Sequence, residues 1–188
     1  MFRVVTTVLV AAGLLLGASS RAAAQISLGP ISGVLTGHIG TATGGDGAGT
    51  TLSAGASVAV IEASGWGGEL DAGFANDDSG RTGGLNMQSY ILNVVAVWPR
   101  GQLRPFVAAG AGALRATRCT TACPDTTTWT DFALSAGGGL QYLFNETWGL
   151  RGDVRYISTV SDHPDPPRSS GINVWRVAVG GTFLWSAQ

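Results

Sequence analysis

Lysine is absent from all 188 residues, and charged residues of both signs make up only 12% of the chain. With the two arginines of the N-terminal segment, Arg3 and Arg21, set aside, nine arginines face twelve acids, a net charge near −3. No basic patch is available for nucleic acid, so none is expected as a partner. A soluble protein also covers itself with mixed charge, and a lysine-free, charge-poor chain has little to cover itself with. The only histidines are His38 and His163, and neither has ligand spacing to the only cysteines, Cys119 and Cys123. No metal and no cofactor are expected. Beyond residue 24 there is no apolar run long enough for a spanning helix; residues 91–97 come nearest and contain Asn93.

The N-terminus reads as an export signal. Arg3 gives a positive start, residues 4–16 are almost unbroken in their apolar character, and Ala22-Ala23-Ala24 precedes Gln25. Cleavage is expected after Ala24, leaving 25–188 as one exported domain. A retained anchor is the alternative, disfavoured by the shortness of the apolar run. In an oxidising compartment the close pair Cys119 and Cys123 points to a local disulfide. A C-x-x-C redox motif is not present.

What the chain has in abundance is glycine, 29 residues, and alternation. Eight segments read as strands: 31–43, 51–62, 66–76, 85–98, 103–115, 131–144, 148–157 and 173–185. Leu52, Ala54, Ala56, Val58 and Val60 share one face of the second, and Ser53, Gly55, Ser57 and Ala59 the other. Side chains alternate faces along a strand, so each segment has an apolar and a polar side. The connectors after segments two, four and six are short, whereas those after one, three, five and seven are longer and polar. Short turns at one end and longer loops at the other are the pattern of a transmembrane barrel with short periplasmic turns. Trp66, Trp98, Trp148 and Trp185 then fall at the short-turn edge, with Trp175 at the opposite edge near Tyr90. Aromatic rings gather at lipid–water boundaries, and these five are expected to form an interfacial girdle.

The fold class expected is therefore all-β, an eight-stranded antiparallel up-and-down transmembrane barrel. A soluble eight-stranded barrel of lipocalin type would need a charged exterior that these strands cannot supply. With the apolar side toward lipid, the other side places Glu69, Asp71, Arg104, Arg151, Asp153, Arg155 and Arg176 in the lumen, with Asn93 and Gln141. Acids and bases can pair there, where lone charge would be costly. Gly73, Gly110, Gly137, Gly139 and Gly180 on the same side make room for long arginines. Eight strands enclose a space that side chains fill, so a wide pore is not expected.

Four stretches carry a family likeness: Gly68-Glu69-Leu70-Asp71-Ala72-Gly73-Phe74, Arg104-Pro105-Phe106-Val107-Ala108-Ala109-Gly110-Ala111-Gly112, Leu150-Arg151-Gly152-Asp153-Val154-Arg155-Tyr156 and Val179-Gly180-Gly181-Thr182-Phe183-Leu184-Trp185. In these the chain resembles the small eight-stranded bacterial outer-membrane barrels, the OmpA membrane domain and the OmpX-like and OmpW-like proteins. The resemblance implies outer-membrane residence, contact with outer-membrane lipid and lipopolysaccharide, and a monomer. It also implies a final strand read by the outer-membrane assembly machinery. Such barrels usually end on an aromatic residue, whereas Ser186-Ala187-Gln188 follows Trp185 here. No periplasmic domain follows the barrel in this sequence, so the peptidoglycan tethering of OmpA-type proteins is not implied.

The architecture carries no activity of its own. The leading expectation is a non-enzymatic, structural or surface-contacting barrel acting through its extracellular loops, chiefly the cysteine-bearing loop and the proline-rich loop around His163. A narrow, porin-like channel or small-solute conduit is the alternative. A lipid A deacylase is a further one, but Ser161 and Asp162 beside His163 do not make a triad, and the His-x-Ser motif of that activity is absent. Arg151-Gly152-Asp153 looks like an integrin tag, yet its place in a strand turns both charges into the barrel.

Overall fold

The computed structural model describes residues 31–44, 49–76, 85–98, 101–119, 126–160, 163–164, 167–168 and 171–187. The export signal, cleavage site and Cys123 lie outside them, as do the side chains of Cys119 and His163, so the disulfide expected from the sequence does too.

The strands are β1 (Ile31–Gly44), β2 (Thr50–Glu62), β3 (Trp66–Asn76), β4 (Leu85–Val97), β5 (Leu103–Cys119), β6 (Thr126–Leu143) and β7 (Trp148–Thr159). A two-residue ribbon, β8 (His163–Pro164) with β9 (Pro167–Arg168), sits in the next connector, and β10 (Asn173–Ala187) ends the set. Seven consecutive strands and β10 close into one barrel in the order β1-β10-β7-β6-β5-β4-β3-β2, every ladder antiparallel. The closing ladder runs from Ile31 opposite Ala187 to Gly44 opposite Val174, so no edge is left open to lipid.

Alternation fixes the faces. Leu52, Val58, Val60, Leu70, Leu92, Val94, Leu140 and Val179 are exposed on the outer wall, while Ser53, Ser57, Glu69, Asn93 and Gln141 are buried within. Gly65, at φ 90°, closes the β2–β3 turn, its amide donating to the Glu62 carbonyl. At the β6–β7 turn the Asn145 carboxamide oxygen accepts from the amides of Thr147 and Trp148, at 2.9 and 2.7 Å.

Two boundaries differ from the sequence reading by four residues or more, the others by no more than two. β5 continues past Arg115 to Cys119, and β6 begins at Thr126 rather than Asp131, with Arg115 opposite Thr130 and Cys119 opposite Thr126. The Thr126-Thr127-Thr128-Trp129-Thr130 run has no apolar alternation, but its β-branched threonines suit a paired strand. On the other edge, pairing of β6 with β7 stops at Ala133 opposite Thr159.

The aromatic residues divide between the ends. Trp66, Trp148 and Trp185 are exposed at the short-turn end, and Trp98 is half-buried there. Phe183 packs edge-on to Trp148, centroids 5.1 Å apart, and stacks with Trp185 at 6.1 Å. Trp175 stands at the other end, where it packs against Tyr156 at 5.0 Å. It is not beside Tyr90, because β10 and β4 lie on opposite sides of the barrel.

Candidate functional site: the charged lumen

The lumen is layered. At the end bearing the long connectors, Ala42, Ala75, Met87, Ile91, Leu114, Ala116, Ala133, Ile157, Ile172 and Val174 form one apolar cluster, with Trp129 packed against it. At the short-turn end, Val34, Ala59, Ile61, Val95, Val97, Phe106, Ala108, Leu143 and Leu184 form another. Glu69, Asp71, Arg151, Asp153, Arg155 and Arg176 lie between them, whereas the buried Arg104 and Asp131 lie nearer the two ends. Period two tells inside from outside but says nothing about depth.

Glu69 is the hub. One carboxylate oxygen lies 2.5 Å from Arg155 Nη2, which donates to it, and the other lies 2.7 Å from Arg151 Nη1. Asn93 adds its amide to the first oxygen at 3.3 Å. Asp71 is held by Arg176 in a two-pronged pair, 2.8 and 3.0 Å, the geometry in which a planar guanidinium fits a carboxylate. Asp153 lies 3.5 Å from both Arg151 and Arg155, its neighbours on the inner face of β7. Arg155 also comes within 3.9 Å of Asp71, so the two clusters are one network. Three carboxylates, Glu69, Asp71 and Asp153, balance three guanidiniums, Arg151, Arg155 and Arg176, all of them buried. Phe106 extends the layer downward, its ring 4.0 Å beneath the Arg151 guanidinium in a cation–π contact.

The structure adds His38 and separates Arg104. His38 is buried on the inner face of β1 with Nε2 3.6 Å from the Asp71 carboxylate. Its inward direction was readable, because Leu35 and Ile39 face out; its partner was not, since β1 and β3 meet only through β2. No hydroxyl is bonded to either ring nitrogen, so no Ser–His pair exists there among the described residues. Arg104 is buried too, yet it does not join the network expected from the sequence. It sits opposite the uncharged Gln141 near the start of β5, and its Nε donates to the Gly101 carbonyl at 3.4 Å.

The glycines also divide. A Cβ at Gly73 would stand 2.7 Å from Arg176 Nη1, so Gly73 makes room for arginine; one at Gly137 would meet both the Val154 carbonyl oxygen, at 2.3 Å, and Arg155 Cγ, at 2.9 Å, so Gly137 serves strand approach as well. At Gly110, Gly139 and Gly180 the nearest atom would be a backbone oxygen of the adjoining strand, at 2.0, 1.9 and 2.2 Å. Those three admit close strand approach instead. Arg151 and Asp153 are both buried, which removes the Arg-Gly-Asp triplet from any integrin-type role.

A closed antiparallel barrel of eight strands with an apolar outer wall and an ionic centre is now defined, and comparison with known proteins gives it a family. Residues 9–183 match the outer membrane protein beta-barrel domain family. The chain belongs to that family. It is a bacterial outer-membrane protein. No curated protein matches it. Among solved structures it is similar to Neisserial surface protein A (NspA), at 11% identity and TM-score 0.65, covering 82% of this chain and 96% of that one. It is also similar to Ail, the attachment invasion locus protein of Yersinia pestis, at 13% identity and TM-score 0.58, over 84% of this chain and 100% of Ail. The outer membrane protein OprG from Pseudomonas aeruginosa gives 14% identity and TM-score 0.58, over 85% and 98%. At such identities the likeness is one of fold.

Proposed function

We propose that this outer-membrane protein is a closed, non-conducting and non-enzymatic barrel with a structural or surface-contact role carried by its extracellular loops. The observation that carries this reading is the neutral ion layer held between two apolar layers. An ion entering would have to cross apolar packing and then displace paired, hydrogen-bonded charges. The small cavity beside Arg176, about 30 Å³ and lined by Ser53, Ser89, Met87 and Ile157, has room for a water or two and is too small for a larger solute. The names of NspA, a surface protein, and Ail, an attachment protein, agree with a surface role on a scaffold of this size. The chain acts as a monomer, and β10, with Phe183 and Trp185, is the segment presented to the assembly machinery. Recording from the refolded protein in planar bilayers tests the closure. No stable unitary currents are expected; well-defined channels whose conductance changes in Arg155→Gln would overturn it. Unchanged acyl chains in lipid A from cells making the protein are expected from its lack of deacylase activity, and shortened chains would refute that part.

A further inference from the structure

Among the described side chains, Arg115 is the one arginine exposed on the outer wall; Arg104, Arg151, Arg155 and Arg176 are all buried in the lumen. The ladders define its surroundings. Gln88 on β4 and Thr130 on β6 are its partners across the sheet. Two residues toward the barrel centre on the same face, the row is Tyr90, Ala113 and Phe132, and the next is Leu92, Ala111 and Leu134. Two residues toward the loops, the row is Asn86, Thr117 and Thr128, the two threonine hydroxyls 3.1 Å apart. The wall therefore changes from apolar to polar between Ala113 and Arg115, a distance of about 7 Å along the strand. An aromatic row beneath a polar row is the signature of the hydrocarbon boundary. With the long connectors outside, it is the outer-leaflet boundary.

We propose that Arg115, with Gln88 and Thr130, docks the phosphate of a phosphorylated outer-leaflet lipid whose acyl chain lies against the two apolar rows below. Arg115 makes no ion pair with any described residue, and the lumen acids are on the opposite face of the sheet. An arginine at a lipid boundary sets its aliphatic stem on the apolar surface and its fork of donors in the headgroup layer. That fork matches phosphate oxygens in two-pronged fashion, and the Gln88 amide and Thr130 hydroxyl can donate beside it. Below, Ala111 and Ala113 are half-buried between the more exposed Leu92, Tyr90, Leu134 and Phe132, which leaves a shallow trough for a chain. The apolar trough ties the site to a lipid rather than to free phosphate.

The test is binding of the folded barrel in detergent micelles to lipid A carrying its phosphates, to the same lipid A with them removed, and to inorganic phosphate. Phosphorylated lipid A should bind best. Arg115→Gln should lower that affinity about fivefold, the equivalent of roughly 1 kcal/mol for one arginine at an anionic surface. Arg115→Lys should recover most of it, and the preference should shrink as salt rises. Heat-modifiable migration on SDS gels verifies that each variant is folded. Equal binding of the two lipid forms, or wild-type affinity in folded Arg115→Gln, would overturn the proposal. Inorganic phosphate binding as tightly as the lipid would overturn the lipid assignment. The site depends on the orientation of the barrel and not on its closed lumen. A conducting barrel that still discriminates the two lipids would refute the closure and leave this site standing.

Discussion

Replacing Glu69 by glutamine removes one negative charge and almost no volume, so it isolates the electrostatic role of the lumen hub. Glu69 lies 2.5 Å from Arg155 and 2.7 Å from Arg151, and its side chain is fully buried. At an effective dielectric of 20, each such contact is worth roughly 4 kcal/mol of gross attraction at 4 Å between charge centres. Desolvation of three ions consumes much of that in the wild type, and none of that desolvation is recovered for the arginines in the variant. Three guanidiniums would then face two carboxylates, Asp71 and Asp153, leaving the layer with one uncompensated positive charge. The expected destabilisation is about 3–5 kcal/mol, the cost of orphaning one side of a buried pair. Urea unfolding in lipid vesicles, followed by tryptophan emission, reads it directly. The double variant Glu69→Gln/Arg155→Gln restores balance, and its loss should fall short of the two single losses summed by about 1–3 kcal/mol. A Glu69→Gln barrel within about 0.5 kcal/mol of wild type, with the double variant simply additive, would refute the claim that paired charge holds the lumen.

Phe106→Ala removes the ring beneath Arg151 from the lower apolar layer and should cost about 3–5 kcal/mol by the same unfolding assay, with Phe106→Leu much milder. Gly33→Ala would put a Cβ 2.1 Å from the Trp185 indole, so that ring must swing away from the closing seam. A loss of about 1–3 kcal/mol and a shifted Trp185 emission are expected, the loss vanishing in the Trp185→Ala background. Asn145→Ala strips the acceptor from the amides of Thr147 and Trp148 and should lower stability by about 1 kcal/mol. An Asn145→Asp variant, which keeps an acceptor oxygen, should stay near wild type in the same titration.

The parts of this fold that were legible in the sequence are those governed by local period. Leu70, Ala72 and Phe74 alternate with Glu69, Asp71 and Gly73, and that alone separates the lipid face from the lumen face. Apolar contrast as a signal failed where contrast was absent. The paired threonines 117 and 128 extend the β5–β6 hairpin beyond Asp131, because pairing with a neighbour, not an alternating pattern, holds that ladder together. The ion pairs were beyond reach for a different reason. Arg155 meets Glu69 across 86 positions of chain, and Arg176 meets Asp71 across 105, distances set by strand order and stagger around a closed barrel. Composition could balance the charges but could not say that Arg104, opposite Gln141, would be left out.

That exclusion bears on how the ion layer works. Arg104 and Arg151 both pair with Gln141 in the ladders, one from each side, yet only Arg151 turns toward Glu69. With Arg104 included, the centre would carry four guanidiniums against three carboxylates, a surplus that a lumen sealed by Phe106, Leu143 and Val95 could not relieve with solvent. Placing Arg104 at the start of β5, beside the turn carbonyl of Gly101, lets it be buried without upsetting that balance. An acid introduced near it should therefore be tolerated, whereas an acid replacing Asn93, already hydrogen-bonded to Glu69, should be strongly destabilising. Gln141→Glu against Asn93→Asp makes the comparison, read by urea midpoint. A larger loss in Gln141→Glu would mean that charge balance in the central layer does not govern the stability of this barrel.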